Sequence, residues 1–294
     1  MLFYLVYVIG YAGCWVLPRR LCYWVARRGA DFYAWRAPKE RQAVRRNLEV
    51  ILGTATVSKQ QVLDVFRNFA MYLVDFCRFG LLTPQKAGKL VVIEGLEYMR
   101  EALAHGRGAI GLTAHIGNYE LAGAVLALSG FQVHAAVLKH RNPYVNSFFI
   151  NQRKKVGVIG LPLGNGGLRG FFEKGLNVLQ QNKVLALVGD RDFTDHGINL
   201  PLFGKTLSVP TGPATFSVKS GARIVPGFLI REKGGTYRLK LERPIAVPEG
   251  LSRQEAVRHI AQECLQVMIP YIQRYPTQWY MFQEFWRPAP TFVH

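Results

Sequence analysis

A histidine and a carboxylate stand five positions apart in the segment Thr113-Ala114-His115-Ile116-Gly117-Asn118-Tyr119-Glu120. An imidazole can take up and return a proton near neutral pH, and a carboxylate that accepts a hydrogen bond from Nδ1–H leaves Nε2 as the proton acceptor. We therefore predict that His115 is a general base acting on a substrate hydroxyl and that Glu120 orients its ring. Such a centre requires no side-chain nucleophile.

The sequence around this pair predicts how the two side chains are placed. The apolar run 108–113 is typical of a buried strand, and Asn118 is the expected N-cap of a helix that ends at Ser129-Gly130. Positions 115 and 120 would point roughly 140° apart if both lay on one helix. Because His115 falls in the strand-to-helix loop instead, its ring and Glu120 can face each other.

The segment resembles the H-x-x-x-x-(D/E) motif of glycerolipid-type acyltransferases. It resembles more closely the lipid A biosynthesis acyltransferases of the bacterial inner membrane, the lauroyl and myristoyl transferases. The resemblance covers nearly the whole chain and includes further motifs in order and at compatible spacing: Arg141-Asn142-Pro143, Arg153 with Gly157, Gly189-Asp190-Arg191-Asp192, Pro201-Leu202-Phe203-Gly204, Gly212-Pro213, Gly221-Ala222 and Val225-Pro226. An ordered series of this kind is much more specific than one short string.

The resemblance implies acyl transfer from an acyl thioester, carried on acyl carrier protein or on acyl-CoA, to a hydroxyl of an anionic glycolipid such as a lipid A precursor. It implies no cofactor and no metal. A lysophospholipid or another glycolipid is an alternative acceptor. Besides His115 and Glu120, the implied site contains residues that bind the substrate or hold phosphates of the acceptor or carrier: Asn118, Arg141, Arg153, Arg191 and Asp192.

Two other motifs suggest different chemistry. Asp190 and Asp192 match the Asp-x-Asp pair with which some glycosyltransferases hold a metal-bound nucleotide sugar, but that interpretation leaves His115 and Glu120 unexplained. The glycine-rich run 164–170 has the wrong spacing for a dinucleotide-binding loop. It is more simply a turn before a helix.

The composition indicates an anionic, lipid-like environment. The 294 residues carry a formal charge of +18, and 49% of them are hydrophobic. Nucleic-acid binding is not expected, because the chain has no zinc-finger spacing and no RNP-like strand, and its arginines recur beside apolar segments instead. A non-enzymatic membrane tether for nucleic acid or lipid would explain the charge, but it would leave the ordered motifs as coincidence.

The first 17 residues are almost continuously apolar and are followed by Pro18-Arg19-Arg20. A helix of this length spans roughly 26 Å, slightly less than a ~30 Å hydrocarbon core, so spanning and interfacial insertion are both open. A buried helix of a soluble fold is the alternative. We predict a membrane anchor at 1–20 of the bacterial inner membrane, and the positive flank would place the catalytic domain on the cytoplasmic face.

The remaining chain divides into two predicted regions. Residues 21–89 form a helical, membrane-proximal region, in which Ser58 and Gln61 predict a capping box. Strand-like and helix-like stretches alternate over 90–294, which predicts an α/β catalytic domain with a mixed, largely parallel sheet flanked by helices. The tail at 275–282 departs from the arginine-rich ending common in lipid A enzymes, so the resemblance specifies the fold better than the acceptor.

Overall fold

The computed structural model describes residues 2–140, 142–163, 167–192 and 197–286. The helices in these ranges are α1 (Leu2–Val16), α2 (Arg19–Arg36), α3 (Pro38–Leu52), α4 (Lys59–Cys77), α5 (Pro84–Leu90), α6 (Leu96–Ala104), α7 (Tyr119–Leu128), α8 (Pro143–Lys155), α9 (Gly167–Gln180), α10 (Gly212–Ser220) and α11 (Arg253–Arg274). The strands are β1 (Val91–Glu94), β2 (Ala109–Thr113), β3 (Val133–Leu138), β4 (Ile159–Leu163), β5 (Val184–Val188), β6 (Ile198–Leu202), β7 (Lys205–Val209), β8 (Arg223–Arg231) and β9 (Tyr237–Leu241).

The N-terminal apolar segment forms a shorter helix than a membrane anchor requires. The 15 residues of α1 end before Pro18, and at 1.5 Å per residue they extend about 22 Å against a ~30 Å hydrocarbon core. Within the described ranges, no helix combines the length and apolar character needed to cross a membrane. The predicted membrane-spanning helix is therefore not supported.

Buried contacts of Asp75 attach the helical region to the sheet. The Asp75 carboxylate in α4 accepts hydrogen bonds from Arg19 Nε (2.7 Å) and Tyr23 Oη (2.5 Å) of α2, and also from the Tyr237 hydroxyl of β9. The capping box predicted at Ser58 is present at the start of α4. The domain boundaries at 20 and 90 stay a prediction.

A seven-stranded sheet in the order β1-β9-β8-β2-β5-β3-β4 forms the centre of the molecule. Its neighbours pair in parallel except β8 and β9, while β6 and β7 form a separate antiparallel hairpin. The predicted mixed, largely parallel sheet is thus confirmed. Apolar clusters cover both faces: α9, α10 and α11 pack on one, and α6, α7 and α8 on the other, as parallel strands require.

The central pair β2 and β5 determines where the catalytic loop lies. Thr113, the last residue of β2, stands opposite Val188, the last residue of β5. Because the two strands are parallel and end in register, the loops that follow them leave the same edge of the sheet side by side. Functional residues of α/β sheets commonly collect at this carboxyl edge.

The segment after α11 folds back over this edge, and we call residues 275–286 the C-terminal strap. The amide of Gly117 donates to the carbonyl of Gln278 (2.9 Å), and the amide of Tyr280 donates to the carbonyl of His115 (2.7 Å). The Asn47 side chain of α3 holds the end of the strap through the carbonyls of Met281 and Gln283. The strap therefore packs directly against the histidine loop.

Candidate active site

His115 is bonded to Asp190 through both its ring and its backbone. Nδ1 of His115 lies 2.7 Å from Oδ1 of Asp190, and the His115 amide donates to Oδ2 at 2.9 Å. The Asp190 side chain is 1% exposed, whereas that of His115 is 22% exposed. Each residue stands two positions beyond the end of its strand, so the register of β2 and β5 brings them together. The more exposed imidazole is the part of this pair that a substrate can reach.

Trp279 of the strap completes the surroundings of the carboxylate. Its Nε1 donates to Oδ2 of Asp190 at 3.0 Å, and the tryptophan is buried. Burial by itself would raise the pKa of Asp190. The neighbouring His115 and the hydrogen bonds from His115 and Trp279 instead lower that pKa below its ordinary value. Asp190 is therefore held as an anion beside the imidazole.

Gly117 and Asn118 fix the loop between His115 and α7. Gly117 has φ +60°, and a Cβ there would lie 1.9 Å from the carbonyl oxygen of Leu229 in β8, so only glycine fits. Asn118 caps α7 as predicted, with Oδ1 accepting from the Leu121 amide at 3.0 Å. Asn118 is fully buried. Asn118 is therefore a structural cap, and its role in binding substrate stays a prediction.

Glu120 faces an arginine instead of the histidine. Its carboxylate accepts from Arg153 Nε (2.9 Å) and is also bonded to Nη2, and both side chains are about 10% exposed. Because α7 begins at Tyr119, Glu120 lies on the helix and turns toward α8. The predicted hydrogen bond from His115 Nδ1 to Glu120 is thus wrong, since Asp190 takes that place. A catalytic role for Glu120 stays a prediction.

Arg153 has its charge satisfied inside the protein. Burial by itself would lower the pKa of Arg153, but the negative charge of Glu120 and their hydrogen bonds raise it. A buried guanidinium already paired with a carboxylate does not offer a free charge to a ligand. The prediction that Arg153 holds a phosphate is therefore not supported in this geometry.

Two other predicted substrate residues, Arg191 and Asp192, line the apolar cavity next to Phe171 and Phe216. Arg191 contacts the Gln283 side chain of the strap, and burial lowers its pKa. Asp192 accepts from the Gly197 amide (2.7 Å) and Ser208 Oγ (3.3 Å), which orders the β6–β7 hairpin. Arg141 lies outside the described residues.

The Asp-x-Asp pair is used for two different purposes. Asp190 bonds His115 and Trp279, whereas Asp192 bonds the start and end of the β6–β7 hairpin. A shared nucleotide-bound metal would need both carboxylates to converge on one point. The arrangement favours the histidine chemistry over the glycosyltransferase alternative.

Two residues of the site were not assigned from the sequence. Asp190 belongs to a recognised motif, but only the pairing of β2 with β5 identifies it as the partner of His115. Trp279 follows Asp190 by 89 positions, and no local pattern connects them. A comparison of the residues two positions beyond each buried strand would have found Asp190. It would not have found Trp279.

The chain is similar to known acyltransferases over most of its length. A family model described as bacterial lipid A biosynthesis acyltransferase matches residues 1–288. The phosphatidylinositol mannoside acyltransferase of Mycobacterium tuberculosis (strain CDC 1551 / Oshkosh) is 29% identical over 94% of this chain and 87% of its own length. Its counterpart from Mycolicibacterium smegmatis is 28% identical over 95% of this chain and 90% of its own length.

A more distant relative is the lipid A biosynthesis palmitoleoyltransferase of Escherichia coli (strain K12). It is 24% identical over 74% of this chain and 71% of its own length. The family match extends over nearly every element described above, including the loop of His115 and the strap. The chain therefore belongs to the bacterial lipid A biosynthesis acyltransferase family, and it is an acyltransferase.

Proposed function

We propose that this enzyme transfers a fatty acyl chain from an acyl thioester to a hydroxyl of an anionic glycolipid, with His115 as general base and Asp190 as its orienting carboxylate. The observation that carries the proposal is the 2.7 Å contact between His115 Nδ1 and the buried Asp190. A buried carboxylate at this distance favours a proton on Nδ1, which leaves Nε2 as the basic nitrogen.

In the reaction, Nε2 of His115 takes the proton of the acceptor hydroxyl while its oxygen attacks the thioester carbonyl carbon. The resulting imidazolium lies against the Asp190 anion, which stabilises it. Collapse of the tetrahedral intermediate breaks the carbon–sulfur bond, and the imidazolium returns its proton to the leaving thiolate. The products are an ester and a free thiol, and no side chain is acylated.

Backbone amides at the start of α7 are the proposed donors to the oxyanion. The amides of residues 115–118 are bonded to Asp190, Ala114, Gln278 and Leu229. The next amides, those of Tyr119 and Glu120, belong to the first turn of α7 and carry the positive end of its dipole. Arg153, whose guanidinium could also donate to an oxyanion, is paired with Glu120.

An apolar cavity of about 80 Å³ beside the histidine loop is the proposed site for the first carbons of the acyl chain, since this volume is smaller than a whole fatty acyl chain. It lies between α7 and the sheet and reaches Thr113, Tyr119 and Glu120. Small residues keep it open on both sides: Gly111, Ala122, Gly123, Ala135 and Ala186. A Cβ on Gly123 would meet only Val158, at 4.0 Å. A leucine there would therefore shorten the acyl chains accepted.

A second apolar cavity lies on the opposite face of the sheet, next to Phe171 and Phe216. If Gly123→Leu leaves the preferred acyl chain length unchanged, this second cavity becomes the proposed acyl site.

The names of the relatives guide the choice of acceptor, since they specify phosphatidylinositol mannoside and lipid A. Acyl carrier protein or acyl-CoA is the proposed donor, and the charge of +18 suits either of these acidic donors. Exposed aromatic residues on α1 and α2, namely Trp15, Trp24, Phe32, Tyr33 and Trp35, stand among arginines. This pattern supports attachment to a membrane surface, and the cytoplasmic face of the bacterial inner membrane is the proposed one.

Acyl transfer by the detergent-solubilised protein tests the proposal. Labelled acyl carrier protein and acyl-CoA are offered with lipid A precursors, phosphatidylinositol mannosides and lysophospholipids. We expect a product on a glycolipid that disappears in His115→Ala. Transfer only to a lysophospholipid would change the acceptor, and a product unaffected by His115→Ala would refute the assigned base. Absence of transfer together with salt-sensitive DNA binding would favour the tether alternative.

A further inference from the structure

A strongly basic pocket lies beside the active site, between α2, α4 and the turn that joins β8 to β9. We call it the basic pocket; it has a volume of about 560 Å³, and its lining includes Arg19, Arg20, Arg27, Arg231, Lys233 and Gln278. Its size is that of a small-molecule site. None of these arginines belongs to the motifs from which a phosphate site was predicted.

Most of the positive charge in the basic pocket is not neutralised by the protein. Arg19 is paired with Asp75, and Glu232, the carboxylate in the lining, is paired with Arg238 at 2.6 Å. Across the described ranges no carboxylate forms an ion pair with the four other cations, Arg20, Arg27, Arg231 and Lys233. The pocket therefore presents an excess of positive charge to whatever enters it.

Arg231 is the most informative of these cations, because it is half-buried. Its Nη2 donates to Asn68 Oδ1, and its Nη1 lies 2.8 Å from Met71 Sδ, so neutral groups hold it in place. Removing a guanidinium partly from water without a counter-charge is unfavourable. The planar fork of an arginine matches the oxygens of a phosphate or of a carboxylate.

The walls of the basic pocket are fixed in advance of any ligand. Arg19 Nη1 donates to the Gly235 carbonyl at 2.8 Å, which holds the β8–β9 turn against α2. Asp75 in turn fixes Arg19 together with the hydroxyls of Tyr23 and Tyr237. Arg20, Arg27 and Lys233 are exposed, so these bonds fix the inner part of the pocket and not its rim.

Gln278 connects the basic pocket to the catalytic pair. Its side chain bonds both the amide and the carbonyl of Arg231, each at 2.9 Å. Its own carbonyl accepts from Gly117, and the next residue, Trp279, donates to Asp190. A ligand in the pocket would thus contact Gln278, which adjoins the residue that bonds Asp190.

We infer that the basic pocket binds the phosphate of the acceptor headgroup while an acceptor hydroxyl lies at His115; this inference rests on the proposed function. Leu21 and Trp24 are exposed on α2, next to Arg20 and the pocket. Apolar residues at this rim suit a headgroup that is still attached to its hydrocarbon chains, more than they suit a free phosphate ion.

Binding to the His115→Ala protein tests the inference without requiring catalysis. The probes are glycerophosphoinositol, inorganic phosphate, and vesicles of phosphatidylcholine with and without phosphatidylinositol. The pocket variant is Arg231→Gln with Lys233→Gln. The matched control, Arg253→Gln with Arg258→Gln, removes the same charge from exposed positions on α11.

We expect the pocket variant to lose about ten- to a hundredfold in affinity for glycerophosphoinositol and for vesicles containing phosphatidylinositol, and the control to match the parent. With His115 restored, KM for the glycolipid should rise by the same factor while kcat changes little. Lys233→Gln alone, at an exposed turn, should cause a smaller loss of headgroup affinity. Arg231→Lys should retain part of the affinity that Arg231→Gln loses. These two variants separate an effect on binding from misfolding.

If the pocket variant and the control lose the same affinity, binding depends only on the net charge of the protein, and the inference is overturned. Binding of inorganic phosphate as tight as that of glycerophosphoinositol, with no change in KM, would reassign the pocket to free phosphate. If wild type transfers no acyl group but the pocket variant still loses headgroup binding, the proposed function fails and the phosphate site stands.

Discussion

Asp190 and Glu120 are both nearly buried carboxylates beside the histidine loop, yet one contacts an imidazole and the other a guanidinium. The charge of Arg153 is constant at any physiological pH, so its pair with Glu120 holds α7 against α8. The charge of His115 changes when it takes a proton, so Asp190 can stabilise the protonated state formed during transfer. The role of each carboxylate therefore follows from the side chain that it contacts, and not from its distance to His115 in the sequence.

The largest effect on acyl transfer is expected for His115→Gln, because it removes the base. We expect kcat/KM to fall about 10³- to 10⁴-fold. The measurement is initial-rate kinetics with the glycolipid that serves as acceptor in the transfer assay, with circular dichroism as a check of folding. A loss of less than tenfold would mean that the proton is taken by another group.

The next largest effect is expected for Asp190→Asn, which keeps the shape of the side chain but removes its charge. The amide no longer stabilises the imidazolium and can favour the wrong tautomer, so kcat/KM should fall about 10²- to 10³-fold. A folded Asp190→Asn enzyme with wild-type kinetics would contradict the assigned pair.

Trp279→Phe is expected to have a smaller effect, about tenfold, through loss of one hydrogen bond to a charged group. The Trp279 bond lowers the pKa of Asp190, so without it the carboxylate becomes more basic. The acid limb of the kcat/KM profile should consequently move to higher pH. Trp286→Phe is the matched control, because Trp286 Nε1 has no hydrogen-bond partner among the described residues. Equal profiles for the two variants would assign Trp279 to packing only.

Glu120→Gln should change catalysis least and stability most. It leaves the buried Arg153 without a counter-charge, at a cost of about 3 kcal/mol in the free energy of unfolding. The same substitution at Glu173, whose pair with Arg169 is largely exposed, should cost no more than about 1 kcal/mol. Thermal or urea unfolding measures the difference. A loss of activity as large as that of Asp190→Asn, without destabilisation, would restore Glu120 as a catalytic residue.

Features of the fold that depend on local sequence patterns could be predicted from the sequence. The strand before His115, the cap at Asn118 and the box at Ser58 depend on neighbours within a few positions, and each is present. The bonds of Asp190 to His115 and to Trp279 instead depend on strand order and on the path of the strap, across separations of 75 and 89 positions. No periodicity in one chain encodes such contacts, so Glu120, the nearest carboxylate, was assigned in place of Asp190.

The most direct test of this account is the protonation of the His115 ring, observed by NMR with isotope-labelled histidine and assigned with His115→Gln. We expect a strongly hydrogen-bonded Nδ1–H in the wild type and in Glu120→Gln, and its loss or a clear upfield shift in Asp190→Asn. If the signal survives in Asp190→Asn and is lost in Glu120→Gln, Glu120 orients the histidine and the pairing described here is wrong.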